Sequence, residues 1–246
     1  LLLRTSGKYT LIDPALASRA SPLQFYGPQR KTPAALKVED LPALDRVLIS
    51  HSHYDHLDWP TIKLILRHFP DVHFVVPLGL APWFKKRGAK KVTQLDWWES
   101  VTDREMQIFA VPASHWSMRT PWDRNRSLWC GWVVKSQGVN FWFSGDSGYS
   151  ERLLEIPRRL GPFNLAALPT GAYAPQWFMR GQHMDPDEAI SLHQALGQPV
   201  TIPIHWGVFE LADESLDEPP RVLSEKMQAA KLDEHRFIAW KIGARM

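Results

Sequence analysis

Arg46-Val47-Leu48-Ile49-Ser50-His51-Ser52-His53-Tyr54-Asp55-His56 runs an apolar, strand-length segment straight into three imidazoles and a carboxylate. Such groups are costly to bury unmatched, and they are the ligand types that zinc and related ions prefer. Side chains alternate along an extended chain, so His51 and His53 project to one side. Asp55 and His56 follow in the turn, where they can face a second ion. The bland alternative, a polar loop ahead of a helix, does not account for a four-position ligand pattern.

One motif holds too few ligands for two ions, so other segments must supply the rest. His115 follows an apolar run at 106–111, Asp146 one at 139–143, and His205 one at 200–204. Strand ends opening into loops are where a scaffolded site gathers its groups. Any one of these residues alone is ordinary. Three of them after three strands point to ligation.

Upstream of the motif, residues 9–12 suggest a short strand ending at Asp13-Pro14. A connection to about Leu44 follows, in which Pro22, Pro28, Pro33 and Pro42 prevent regular structure. Downstream, Asp58 looks like an N-cap, with Pro60 in the first turn of a helix to about His68. Strands at 73–76 and 91–95 flank a helix from near Leu80. Strands at 106–111, 128–135 and 139–143 come next, the last two joined as a hairpin at Ser136-Gln137-Gly138. A helix over about 150–160 and a strand at 164–168 precede a helix opened by Asp185-Pro186 and running to about Ala195. A strand at 200–204, a helix over 218–230 and a strand at 237–240 complete the chain. The pattern predicts an α/β fold, an αββα sandwich of two mixed β-sheets flanked by helices, as one domain over residues 1–246.

Apolar residues make up 44% of the chain, enough for a substantial core, and no apolar run approaches the roughly 18–20 residues that span a bilayer. The single cysteine, Cys130, excludes an internal disulfide framework and a thiolate-rich zinc knuckle. A net charge of +3 is too weak to suggest a nucleic-acid partner. Lys85, Lys86 and Arg87, with Lys90 and Lys91, read as a solvated helix end, with attraction to anionic lipid head groups as the alternative. Among twelve tryptophans, Trp97, Trp98, Trp116, Trp122 and Trp177 fall in loop-like sequence, where they could meet a lipid interface or line a pocket. A cytoplasmic or peripheral-membrane location is expected.

The ligand order resembles the metallo-β-lactamase superfamily: His-x-His-x-Asp-His, then His, then a bridging Asp, then His. The resemblance implies that His51, His53 and His115 hold one metal and Asp55, His56 and His205 the other, with Asp146 bridging. It implies two zinc ions, with manganese or iron as alternatives. Phe143-Ser-Gly-Asp146-Ser-Gly-Tyr149, Pro169-Thr-Gly-Ala-Tyr173, Trp177-Phe-Met-Arg-Gly-Gln182-His183-Met-Asp-Pro186, Ile204-His-Trp-Gly207 and Glu218-Pro-Pro220 are similar to the N-acylphosphatidylethanolamine-hydrolysing phospholipase D family and its bacterial relatives. The likeness covers nearly the whole chain except the family's first strands. Leu1–Thr5 is accordingly expected to be the middle of a strand whose partner lies upstream.

That family implies a zinc phosphodiesterase releasing phosphatidic acid and an N-acylethanolamine. His183, Tyr173 and Gln182 would be substrate contacts. Two ions about 3.5–4 Å apart would hold a bridging hydroxide for in-line attack on phosphorus. Asp146 and Asp55 would be catalytic through the metals, and His183 directly. The leaving-group acid stays open among His183, Tyr173 and a metal-bound water. The implied partner is a phospholipid or small-molecule substrate, and both a peripheral membrane contact and a homodimer are compatible with it. Two readings compete: a lactonase or small-ester hydrolase with the same metals, and a metal-binding scaffold without catalysis. The ligand set, in which no position is substituted, gives no support to the scaffold. Gly145-Asp146-Ser147-Gly148 is similar to the nucleophile segment of chymotrypsin-like proteases, but its glycines fit a tight turn at Asp146 better.

Overall fold

The computed structural model describes residues 1–103 and 105–245. Its first sheet places β1 (Leu2–Thr5), β2 (Lys8–Ile12), β3 (Arg46–Leu48), β4 (His73–Pro77) and β5 (Lys91–Leu95) side by side in that order. β1 runs antiparallel to β2 at the sheet's edge, and the remaining pairs are parallel. The second sheet contains β6 (Ser100–Asp103), β7 (Met106–Val111), β8 (Gly131–Ser136), β9 (Val139–Phe143), β10 (Leu165–Pro169) and β11 (Val200–Ile204). Its spatial order is β11-β10-β9-β8-β7-β6, parallel from β9 to β11 and antiparallel from β6 to β9.

The central strands of each sheet are buried on both faces, and the strand period of two sorts their side chains between them. In the first sheet Val47, Ile49, Phe74 and Val76 turn outward onto α1 (Trp59–His68) and α2 (Ala81–Lys85). Leu48 and Val75 turn inward, sharing a core with Trp132, Val134, Phe141 and Phe143 of the second sheet. The alternate residues Val133, Trp142, Ala166 and Leu168 face the other way. They pack on α3 (Glu155–Leu160), α5 (Pro186–Ala195) and α6 (Glu218–Ala229), while α4 (Gln176–Met179) is a single turn outside these cores. Helix, sheet, sheet and helix therefore stack as the expected αββα sandwich. Burying a side chain such as Leu48 or Phe74 completely contributes about 1.5–3 kcal/mol.

Four local expectations change. Asp58 stands at the N-cap of α1 but makes no cap bond; its buried carboxylate accepts from Ala17 N at 2.8 Å and from Thr61 Oγ1, tying down the proline-rich segment. The helix expected over 150–160 splits into a 3-10 turn, Glu151–Leu154, and then α3. Pro157 lacks the N–H that would continue the α ladder back to Leu153, so the first turn tightens. β8 starts at Gly131, because Leu128 N and Cys130 N donate instead to Leu78 O and Ser50 O, at 2.8 and 2.9 Å. The strand expected at 237–240 is reduced to a bridge. Thr201 N donates to Arg236 O at 2.6 Å and Thr201 O accepts from Ile238 N at 3.1 Å. The next donor on that edge falls at Pro203, which has none, and pairing stops. β6 went unforeseen because its alternate side chains remain exposed.

Candidate metal centre

Strand ends bring the seven expected ligands to one rim. β3 leads into His51–His56, β7 into the loop with His115, β9 into Asp146, and β11 into His205. His51 Nε2 lies 2.8 Å from His53 Nδ1, which lies 3.1 Å from His115 Nε2. Asp55 Oδ2 lies 3.2 Å from both His56 Nε2 and His205 Nε2. Asp146 joins the two groups: its Oδ2 is 3.0 Å from His205 Nε2, 3.7 Å from His115 Nε2 and 3.9 Å from His51 Nε2, and its Oδ1 is 3.2 Å from His56 Nε2. His51, His53 and His115 thus converge as one set, and Asp55, His56, Asp146 and His205 as another, each with ligand atoms within 4.8 Å of one another.

This arrangement fits divalent cations. His56 Nε2 and Asp146 Oδ1 face each other at 3.2 Å, buried and without a hydrogen-bond partner. Burial opposes charge on His56 and His205, yet the surrounding carboxylates hold both imidazoles up, His205 to about 10. Burial likewise opposes charge on Asp146, but His205 and His56 keep its carboxyl well below the usual range. The pocket favours positive charge, and imidazole with carboxylate is a zinc-type donor set. His51 and His115, pressed by burial and by neighbouring rings, fall below the ordinary histidine value, His115 to about 3, which favours the neutral form in which imidazole can bind a metal.

Groups behind the ligands aim them, as outer-shell partners do in metal sites. Asp13 was missed in the sequence, where it reads only as the end of a strand. Its Oδ2 lies 2.7 Å from His56 Nδ1, and the same carboxylate accepts from Ser50 N at 2.7 Å and from Ser50 Oγ. Ser50 Oγ in turn meets His51 Nδ1 at 2.9 Å. One carboxylate thus orients a ligand from each set. His115 Nδ1 sits 3.1 Å from Gln182 O. A Cβ at Gly148 would lie 2.6 Å from Arg180 O, so glycine lets the Asp146 turn dock against the segment bearing His183.

The candidate substrate contacts differ in their placement. His183 joins the centre, its ring stacked on His205 at 5.2 Å and edge-on to His115 at 5.1 Å, with Nδ1 buried and unpartnered. Gln182 reaches it through its backbone carbonyl. The Tyr173 hydroxyl donates to Glu218 Oε1 at 2.6 Å, at the start of α6. Of the loop tryptophans, Trp116 packs on His53 at 4.4 Å, Trp97 and Trp98 pack into the cores, and Trp122 and Trp177 stand 75% and 86% exposed. In the basic cluster, Arg87 stacks on Trp83 at 3.9 Å and Lys90 pairs with Asp71, as a solvated helix end would.

The fold is that of metal-dependent hydrolases, and the clustered side chains are a set able to hold metal. The chain belongs to the beta-lactamase superfamily, whose domain model matches residues 8–206. It is 39% identical to N-acyl-phosphatidylethanolamine-hydrolyzing phospholipase D 1 of Caenorhabditis elegans, over 99% of this chain and 72% of that protein. It is 33% identical to the mitochondrial N-acyl-phosphatidylethanolamine-hydrolyzing phospholipase D of Saccharomyces cerevisiae, over 80% of this chain and 43% of that one. The fold also matches a possible metal-dependent hydrolase from Veillonella parvula with a TM-score of 0.78 at 16% identity, covering 99% of this chain and 94% of that one.

Proposed function

We propose that this chain is a two-zinc phosphodiesterase acting on N-acylphosphatidylethanolamine or a related glycerophospholipid. The observation that carries the reading is the position of Asp146, whose carboxylate reaches ligands of both sets and so suits a bridge between two ions. Likeness to the worm and yeast phospholipases supports the lipid substrate. Bound zinc would lower the pKa of water and neutralise the phosphodiester's charge in the transition state. His51, His53 and His115 would hold one ion, and Asp55, His56 and His205 the other. In the overall reaction, water adds to phosphorus and the bond from phosphorus to the ethanolamine oxygen breaks. Phosphatidic acid and an N-acylethanolamine result. Burial lowers His183 to about 4, so its imidazole is neutral at pH 7. That state suits a hydrogen bond from Nδ1 to a substrate oxygen better than protonation of the leaving group.

A lipid substrate also calls for contact with a lipid surface. Among the described residues no helix is long and apolar enough to cross a membrane. Exposed apolar groups do surround the loop after His205. Lys31 N donates to Val208 O at 2.8 Å, docking the loop that carries exposed Leu23, Phe25 and Tyr26. Asp213 N donates to Ala174 O at 3.1 Å, docking the segment with exposed Trp177 and Phe178. We read this rim as a peripheral contact with lipid.

The test is product analysis by mass spectrometry after zinc-loaded protein meets N-acylphosphatidylethanolamine vesicles. Phosphatidic acid and N-acylethanolamine should appear together, and H53A should produce neither. Cleavage of lactones or soluble phosphodiesters with no action on the lipid would overturn the substrate assignment while sparing the metal centre.

A further inference from the structure

Two ligand-bearing loops meet at the centre, residues 52–57 and the stretch after His115. Away from the metal-facing rings, they are joined by one reciprocal contact. Arg119 lies four positions beyond His115, and its Nη1 donates to Ser52 O at 2.7 Å and to Leu57 O at 2.6 Å. Those carbonyls bracket the run His53–His56 from either side. In return the Tyr54 hydroxyl, within that run, donates to Arg119 O at 2.8 Å. The guanidinium carbon sits 4.1 Å from the centre of the Tyr54 ring and 5.2 Å from that of Trp83, within the range of cation–π attraction. Asp123 Oδ1 accepts from Arg119 N and Thr120 N, both at 2.8 Å, fixing the arginine's own backbone.

Neither the arginine nor the tyrosine touches a ligand ring nitrogen through these bonds. Their effect is on the backbone that carries the ligands. One guanidinium nitrogen measures the span from Ser52 to Leu57, and the tyrosine returns the constraint to the His115 loop. A lysine ammonium could supply two donors from one nitrogen but not the planar guanidinium stacked on Tyr54, so it reproduces the arrangement only in part. His53 and His115 stand 3.1 Å apart across the junction of these same loops.

We propose that Arg119 and Tyr54 form a reciprocal lock that positions the His53–His56 run against His115, and that the affinity of the centre for zinc depends on it. The inference rests on the metal-centre reading alone and not on the lipid substrate.

The experiment measures zinc affinity by chelator competition for wild type, R119A, R119K, Y54F and R119A/Y54F. The melting temperature of each zinc-free protein is recorded alongside. R119A should bind zinc about 10–100-fold more weakly, the scale of lost outer-shell support, with R119K partly restoring it. Y54F, which loses one hydrogen bond, should weaken binding about fivefold. Because the two residues act as one device, the double variant should bind within about twofold of R119A. A merely structural role would lower the zinc-free melting temperature and leave zinc affinity at the wild-type value; that result overturns the lock. Independent, additive losses overturn its reciprocity. If R119A does not fold, Y54F decides alone: a fivefold loss upholds the proposal and unchanged affinity rejects it. A wild-type chain that takes up no zinc would reject the metal-centre reading, and the lock with it.

Discussion

The two ends of the sandwich both gather charge and histidine, but they treat them differently. At the end where β3, β4 and β5 begin, a cavity of about 720 Å³ is lined by Lys8, Asp45, Arg46, His73 and Asp103 among others. There Arg46 pairs with Asp103, Lys8 with Asp45 at 2.7 Å, and His73 Nε2 meets Thr93 Oγ1 at 2.8 Å. At the opposite end imidazoles face imidazoles and carboxylates, with His56 Nε2 and Asp146 Oδ1 unpartnered. That cavity is therefore not the chemical one. Both ends hold buried atoms without partners, Arg46 Nε and Nη1 at the first, but there the charge is met by an opposite charge, whereas at the second imidazole and carboxylate atoms converge as a set that suits a cation.

The strongest way to break this contrast is to neutralise one carboxylate at each end. D146N removes the group shared by both ligand sets. Activity on a soluble phosphodiester should fall by at least about 10²–10³-fold, the scale of losing a transition-state charge stabiliser, and bound zinc should fall below two ions per chain by mass spectrometry. D103N strands the buried Arg46 charge. Because Asp103 is 40% exposed, the cost should be about 2 kcal/mol of stability in urea denaturation, below that of a fully buried pair, with zinc content unchanged. Equal loss of zinc in both variants would erase the distinction.

His193 sharpens it, as a histidine beside the first residues of β11, away from the ligands. It is fully buried, with Nδ1 2.8 Å from Thr201 Oγ1. Burial, aided by Arg236, lowers it to about 4. Between that value and the ordinary 6.5 the unfolded chain binds more protons than the folded one. The neutral ring's contribution is thus full above pH 6.5 and is lost as pH falls toward 4, by up to about 3 kcal/mol. In zinc-free protein, wild-type stability should drop over that window more steeply than that of H193Q. Parallel curves would mean that the ring is not held neutral by the fold.

How much of this was legible follows from where each residue acts. All seven candidate ligands follow apolar runs, so strand-end position pointed to them, while their division into two sets came from the family resemblance. Most strands were legible for the same reason, although which faces Trp132, Val133 and Val134 take was not, because all three are apolar. Asp13, Arg119 and Tyr54 were not, because they act through contacts with residues tens of positions away and carry no local pattern. Tyr173 illustrates the reverse: its segment pointed to substrate, but the hydroxyl is engaged by Glu218, a partner 45 residues on. The missing last strand turned on Pro203, visible in the sequence but decisive only once the edge it faces is known.

Surface character gives the last and smallest test of the contrast between the ends. Among the described residues the exposed aromatics are Phe25, Tyr26, Trp122, Trp177 and Phe178. Phe25 and Tyr26 ride on the loop docked to Val208, Trp122 lies in the loop following His115, and Trp177 and Phe178 precede His183. Each therefore belongs to a segment tied to the ligand-bearing rim, where a lipid substrate would have to arrive. Amphipathic rings beside Arg180 suit the interfacial layer of a bilayer. W177A/F178A should reduce sedimentation with N-acylphosphatidylethanolamine vesicles roughly tenfold, by removing apolar surface that the interface would bury. Turnover on vesicles should fall with binding, and far more than turnover on a soluble phosphodiester. An equal fall on both substrates would mean that these rings support the His183 segment itself, and lipid contact would then have to be sought at Phe25 and Tyr26.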